Sequence, residues 1–449
     1  MKPTKTSWLG GDNRRSFLKK ASTAAAAVAA VNPFKTPVYG QNQAPSPGRV
    51  IGANDRIVVG LIGIGRGIGQ THMKHIHSRA GENNTVIGAV CDVWTRRRDS
   101  AAQHCGLASK DAYTQHEKLL ERKDIDAVVI ATHDVWHAPI SIDAMNAGKH
   151  VYCEKPMTRY LDEAWKVYDT VKKTGKIFQV GSQGCSDAKY HKAAELVRAG
   201  KIGQLVWGQG AYSRNNPKGE WNYPIEIENE SEIDWKRWLG QAKKTAFSPD
   251  HYHRWRKYLP YCAGLLGDLF PHRLHPLLLM TGNPEFPRRV VCTGTKKIST
   301  DRDVTDTTHM LAEFPSGYTI FVVSTTVNGF GLDDIVRGHK AILRTTVGAN
   351  SIELVPERPY ADEIDPQKFD NLQPGERVEV HEKNWFDCIR SGKQPNANID
   401  LAIKVQTAIC MAEISERMGV TTFFNEKTRQ VTDAQGKPLK LTYGSTDLS

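Results

Sequence analysis

Beyond the first fifty residues the chain carries two kinds of apolar pattern. Short β-branched runs without alternation recur at 56–62, 86–92, 125–132 and 150–153. Such runs mark strands buried on both faces. A helical pattern starts at Gln70, and another runs from about Ala138 to Ala147-Gly148. Strand and helix in strict turn predict a doubly wound parallel sheet over 55–178. The remainder reads differently. Trp207–Tyr212 is strand-like, and 288–350 alternates with period two, with turns at Pro315-Ser316-Gly317 and Gly331. Residues 382–418 are helical and are expected to return to the first domain, and Phe423–Leu441 resembles a small hairpin.

The first strand runs into Gly63-Ile64-Gly65-Arg66-Gly67-Ile68-Gly69 and then a helix. Glycines in that position let a backbone approach a pyrophosphate, and the helix N-terminus supplies free N–H groups. Strict G-x-G-x-x-G spacing would put the third glycine at Ile68. Gly67 and Gly69 flank it, as in a loop lengthened by one residue. The second strand ends in Asp92, 29 residues after Gly63. A carboxylate there accepts from ribose hydroxyls and repels a 2′-phosphate, which favours NAD. Arg96, Arg97 and Arg98 follow closely and keep NADP open, unless they are a solvated helix start.

Composition narrows the classes. With 39% hydrophobic and 24% charged residues over 449 positions, the chain is an ordinary globular one of two or three domains. The net charge of +11 invites a nucleic-acid reading. Of 60 Lys and Arg and 49 Asp and Glu, however, residues 1–40 hold seven and one, so the other 409 residues carry only +5. That is no footprint for a polyanion, and no nucleic-acid partner is expected. Eight cysteines stand singly, without CxxC spacing, so neither a zinc ribbon nor a disulfide scaffold is indicated. Residues 1–40 look like an address. Arg14-Arg15-Ser16-Phe17-Leu18-Lys19 precedes an Ala-rich stretch, Ala21 to Val31, too short to span a bilayer. This is similar to a twin-arginine export signal, with an exit near Val38-Tyr39-Gly40. It implies a periplasmic or extracellular protein without a stable membrane anchor. Residues 41–54, with Pro45, Pro47, Gly48 and Gly52, read as a linker.

The segment Ala147-Gly148-Lys149-His150-Val151-Tyr152-Cys153-Glu154-Lys155-Pro156, with the glycine loop, His72, Ala131-Thr132 and Trp136-His137, resembles the Gfo/Idh/MocA oxidoreductases over most of 55–420. The resemblance implies an α/β chain: an N-terminal Rossmann domain over 55–178, then a C-terminal α+β domain over 179–449. The second domain would hold an open, mainly antiparallel sheet, used by relatives for oligomers, here a homodimer or tetramer. It implies cofactor contacts from Gly63, Gly65, Gly67, Gly69, Asp92, Thr132, Asp134, His137, Glu154, Lys155 and Gln183, with Pro156 often in a cis peptide. Lys155 would stand beside the nicotinamide and the substrate hydroxyl. A second marker is Ala263-Gly264-Leu265-Leu266-Gly267-Asp268-Leu269-Phe270-Pro271-His272. Asp268 and His272 at i and i+4 of one helix would share a face, His272 as acid/base and Asp268 positioning it or the substrate. His275 lies three residues beyond His272, metal-ligand spacing but with no third ligand evident, so no metal is expected.

Chemically the set suits loss of a hydroxyl proton while hydride leaves the carbon: a cation steadies the developing alkoxide and an imidazole takes the proton. Arg214, Tyr252 and Arg254, among tryptophan-rich segments around 207–256, are the expected substrate contacts of a sugar, glycoside or cyclitol. The same aromatics also suit a core or a dimer face. Three functions remain: an exported NAD(P)-dependent dehydrogenase, a redox-neutral NAD-dependent glycosidase working by transient oxidation and elimination, and a cofactor-binding sensor. Export favours a tightly retained cofactor. Lys155, Asp268 and His272 together argue against the sensor. Replacing Arg14 and Arg15 by lysine is expected to hold the precursor in the cytoplasm, read by cell fractionation. Normal periplasmic accumulation would refute the export reading.

Overall fold

The computed structural model describes residues 56–444 except Glu228 and Val347. The export signal and the linker expected from the sequence lie outside the described residues. Six parallel strands, β1 (Ile57–Ile62), β2 (Thr85–Cys91), β3 (Ala112–Tyr113), β4 (Ala127–Ile130), β5 (His150–Glu154) and β6 (Phe178–Gly181), form one sheet in the order 3-2-1-4-5-6. The order reverses at β1, and ligands of doubly wound sheets bind in the crevice this opens beyond the strand C-termini. β6 runs to Gly181, so the expected boundary at 178/179 falls inside the sheet rather than after it.

β1 shows why the strands read as unbroken apolar runs. Ile57, Val59 and Leu61 face one side, where Trp385 and Phe386 close the core. Val58 and Ile62 face the other, packing with Ala138, Ala144 and Ala164. Both faces are covered, so no position is left for a polar side chain.

A second sheet holds eleven strands: β7 (Leu205–Ser213), β8 (Arg289–Thr295), β9 (Thr307–Glu313), β10 (Thr319–Thr325), β11 (Asp334–Gly338), β12 (Ala341–Thr345), β13 (Ile352–Pro356), β14 (Gln367–Phe369), β15 (Thr422–Asn425), β16 (Gln430–Thr432) and β17 (Pro438–Leu439). Their order is 14-13-12-11-7-10-9-8-15-16-17, and β7 with β10 is a parallel pair in an otherwise antiparallel sheet. The expected hairpin at 423–441 is a three-stranded meander that extends this sheet from β8. Period-two patterning decides the faces: Val290, Cys292, Met310, Ala312 and Ile320 are buried, whereas Val291 and Leu311 are exposed.

Two late helices tie the sheets together. Val378–Ser391 packs on the first sheet through Trp385 and Phe386. Ile399–Met418 is buried nearly all round, which explains its lack of an amphipathic pattern. Glu413 on this helix accepts a two-pronged ion pair from Arg159, at 2.7 and 2.8 Å, with both side chains buried. Removing one partner leaves the other charge uncompensated. Glu413→Ala should therefore cost about 3–5 kcal/mol, read from the denaturation midpoint. Arg159→Met combined with Glu413→Leu should lose clearly less; equal losses would refute the pairing argument.

Candidate active site

The glycine loop is built as a phosphate cradle. Gly63 has φ +84°, and a Cβ there would meet the Ala131 carbonyl and Thr132 N at 2.8 Å. Gly69, at the start of the helix Ile68–Ser78, would push a Cβ to 2.6 Å from the Gly63 oxygen. It therefore allows the close helix–strand approach normally given by the third glycine, as expected for the lengthened loop. Above Gly65 and Gly67 there is open space, bounded only by the Arg97 guanidinium 3.8 Å from a Cβ at Gly65. The crevice that continues from there is lined by Gly63, Gly65, Gly69, Asp92, Thr132 and His133, and roofed by Tyr223, Trp238, Tyr252, Trp255 and Arg256. Its loop, helix N-terminus and terminal acid fit a dinucleotide.

Asp92 sits at the end of β2 with both oxygens engaged: Ile64 N–H donates at 2.8 Å and Trp94 N–H at 2.9 Å. Burial pushes its carboxyl upward, against these two hydrogen bonds. A carboxylate has about four acceptor sites, so two remain for a ribose. His137, buried, faces the carbonyls of Pro156 (2.6 Å) and Thr132 (3.2 Å) and so joins the β4 and β5 turns. Asp134 lies beneath, with its Oδ2 3.3 Å from a Cβ at Gly267, and burial raises it to about 7. Gln183 opens a short 3-10 turn after β6 and is half-buried.

The structure moves three expectations. Glu154, expected in the cofactor contact, turns inward: Oε1 meets His72 Nε2 at 3.0 Å, and Oε2 accepts from Lys155 N–H at 3.2 Å. Arg254, expected on the substrate, donates to Tyr223 O and Asp250 instead. Tyr252 packs edge-on against Trp94 at the Asp92 end of the crevice. It is Arg256, two residues further on, that reaches the reactive cluster.

That cluster joins the two sheets. Lys155, just past β5, donates to Asp268 Oδ1 at 2.8 Å and to Asp268 O at 2.7 Å. Arg256 Nε donates to the same Oδ1 at 3.0 Å, and Trp221 Nε1 to Oδ2 at 3.0 Å. Burial would raise the Asp268 carboxyl, but Lys155 and Arg256 hold it well below the carboxylate range. Arg214, after β7, donates to Glu220 (3.0 Å) and Tyr212 (3.2 Å). His272 stacks on Tyr212 with ring centroids 4.9 Å apart, and its buried Nδ1 has no partner among the described residues. Burial, then the Lys155 cation, drive its pKa well down, so the imidazole is neutral. Asp268 and His272 do not share one helix. Leu265–Asp268 ends and a new helix, Pro271–Met280, begins, because Pro271 has no N–H to continue the first but suits a first helical position. His275 turns to Ser182 Oγ at 3.0 Å and is buried.

A doubly wound domain with such a loop and terminal acid is a dinucleotide-binding α/β protein. Residues 57–182 match the model of the oxidoreductase family Gfo/Idh/MocA, NAD-binding Rossmann fold. A glycosyl hydrolase family 109 protein of Shewanella pealeana is 34% identical over 215 residues, 44% of this chain and 46% of its own. A second such protein, from a Shewanella species, is 35% identical over 219 residues, 45% and 46%. The chain thus matches about half the length of these curated relatives. Among solved structures, levoglucosan dehydrogenase with NADH aligns over 81% of this chain and 98% of its own, with TM-score 0.63 and 19% identity. Aldose–aldose oxidoreductase from Caulobacter crescentus aligns over 82% and 100%, with TM-score 0.61 and 20% identity. Both are likenesses of fold.

Sequence reasoning did not place Trp221 and Arg256 on Asp268, nor find the partner of His72. His72 is buried between Glu154 and Glu382, at 3.0 and 2.6 Å. Burial alone would lower its pKa, but the two carboxylates raise it from 6.5 to about 9. A charge held this way stabilises the fold fully below pH 6.5 and is lost as pH rises through about 9. His72→Gln should therefore cost about 3 kcal/mol more at pH 6 than at pH 10. A stability difference that is flat with pH would refute the imidazolium.

Proposed function

We propose that the protein is an NAD-dependent oxidoreductase acting on a secondary hydroxyl of a sugar, glycoside or cyclitol, with its cofactor retained between turnovers. The observation that carries this reading is the cluster after β5. The Lys155 ammonium has two of its three N–H donors fixed by Asp268, beside a neutral His272. Bound NAD supplies a hydride acceptor. The third Lys155 N–H donates to the substrate oxygen as charge develops on it. His272 takes the hydroxyl proton, for which a neutral imidazole is required. Asp268 positions Lys155, since its oxygens are occupied by Lys155, Arg256 and Trp221. Arg214 offers donors to neighbouring hydroxyls.

Retention rests on the crevice roof. Trp94 Nε1 donates to Glu232 at 3.2 Å, Asp234 N–H to Val93 O at 3.0 Å, and Trp136 Nε1 to Arg237 O at 3.0 Å. Twin-arginine export to the periplasm or beyond, and a homo-oligomer through the sheet face bearing Val291 and Leu311, belong to the same proposal.

A second reading has a specific support in the relatives named glycosyl hydrolase family 109. Here oxidation is transient: it acidifies the adjacent C–H, the glycosidic substituent leaves by elimination, water adds, and the hydride returns. Both readings need the same first proton transfer. Lys155→Ala and His272→Ala are each expected to lose about 10²–10⁴ in turnover of a sugar or glycoside while keeping bound NAD, quantified by mass spectrometry. Near-normal turnover in either variant refutes its role. Exchange of a sugar C–H with solvent deuterium, with no net NADH, identifies the hydrolytic cycle; a keto-sugar with stoichiometric NADH identifies net oxidation.

A further inference from the structure

The adenosine end of the crevice carries more positive charge than an NAD site needs. Arg66 lies in the glycine loop, and Arg96 and Arg97 open the helix Thr95–His104 just behind Asp92. Arginines so placed accommodate the 2′-phosphate of NADP. Arg98 is withdrawn, held by Asp99 at 2.7 Å and Thr114 at 2.8 Å.

The other three converge on one carboxylate, Glu226. Its Oε1 lies 2.9 Å from Arg66, and its Oε2 3.5 Å from Arg97 and 3.8 Å from Arg96. Its carbonyl oxygen accepts from Arg96 Nη2 at 3.1 Å. The position of Glu226 is fixed from both sides. The N–H groups of Glu226 and Ile227 both donate to His253 Nε2, at 3.1 Å each. The guanidiniums of Arg96 and Arg97 lie over the Trp94 ring, 4.5 and 4.7 Å from its centroid. Arg97 is nearly buried and Glu226 about one-quarter exposed, so solvent screens this pair less than an open surface pair.

We propose that Glu226 sets the choice of NAD over NADP. It occupies the arginines that would receive a 2′-phosphate and, with Asp92, places a second negative charge beside that position. Selection against NADP is thus divided between an acid of the first sheet and one brought from the far half of the chain. A repulsive element of this kind is how sites reject a near-identical ligand. The inference rests on dinucleotide binding in this crevice and not on the reaction proposed above.

The test needs no turnover. Full-length protein is equilibrated with equimolar NAD and NADP until the bound ratio is constant. It is then separated from free nucleotide and denatured, and the released dinucleotides are quantified by mass spectrometry. Wild type should hold NAD. Glu226→Gln should raise the bound NADP:NAD ratio about tenfold or more, equivalent to some 1.4 kcal/mol. Adding Arg96→Gln and Arg97→Gln should abolish most of that gain. An unchanged ratio in Glu226→Gln overturns the proposal, including the case in which both occupancies fall together, which would make Glu226 only a latch. A ratio that stays raised without the two arginines overturns it as well.

Discussion

The Asp268 carboxylate is the point on which the site depends. It is buried, it is ionised, and it holds groups from three separate stretches of chain: Lys155 from the end of β5, Arg256 from the crevice roof, and Trp221. An anion taken out of water is tolerable only when such donors surround it. The converse also holds, since the Lys155 ammonium is only 11% exposed and would be costly without Asp268. The two sheets are therefore locked together where β5 of the first sheet ends. A loosening there would leave two charges uncompensated at once.

The roof over the crevice follows from the same economy of charge and aromatic surface. His133 stacks on Trp238 at 4.4 Å, and Trp238 in turn stacks on Trp235 at 4.6 Å. Burial holds the His133 imidazole neutral, at about 3, so it packs as an aromatic plane. The segment from Tyr223 to Arg256 thus buries aromatic area while its backbone bonds to the turns after β2 and β4. On the adenosine side it adds an anion to three cations; on the reactive side it adds a cation to an anion. One segment balances charge at both ends of the groove.

Local features were legible in the sequence, and long-range pairings were not. The glycine loop and the acid ending β2 are each set by a strand–turn–helix pattern within a few residues, and Lys155 after β5 came from the family resemblance of the segment ending in Glu154-Lys155-Pro156. Spacing put Gly67 and Gly69 on either side of the third-glycine position, and the close approach to the Gly63 oxygen singles out Gly69. The partners of His72 are 82 and 310 residues away, and Trp221 and Asp268 are 47 apart, so no periodicity reports them. Arg254 and Arg256 are not separable by pattern, because a short helix, Pro249–His253, passes into a 3-10 turn at Trp255–Lys257, and neither is long enough to define a face. The single helix expected for Asp268 and His272 overlooked that Pro271 ends one helix and starts another.

Protonation states bring these pieces to one consequence. Three buried groups stand near the Lys155 ammonium, and their environments push them apart. Asp268 is held as the anion by two cations. His272 is held neutral by burial and by Lys155. At Asp134 burial outweighs the attraction of Arg256 and Arg159, and its pKa is raised to about 7. Of the first two, His272 has a buried Nδ1 with no partner among the described residues, whereas both oxygens of Asp268 are engaged, by Lys155, Arg256 and Trp221. When groups around one reacting position are separated in this way, their roles separate too. In the proposed reaction Lys155, held by Asp268, would orient a donor, and His272 would be the group that changes charge. A proton taken by His272 would create an imidazolium beside Lys155, an unfavourable pairing of like charges. That favours its return or release at the end of the cycle, whether the hydride leaves with the product cofactor or comes back to the sugar.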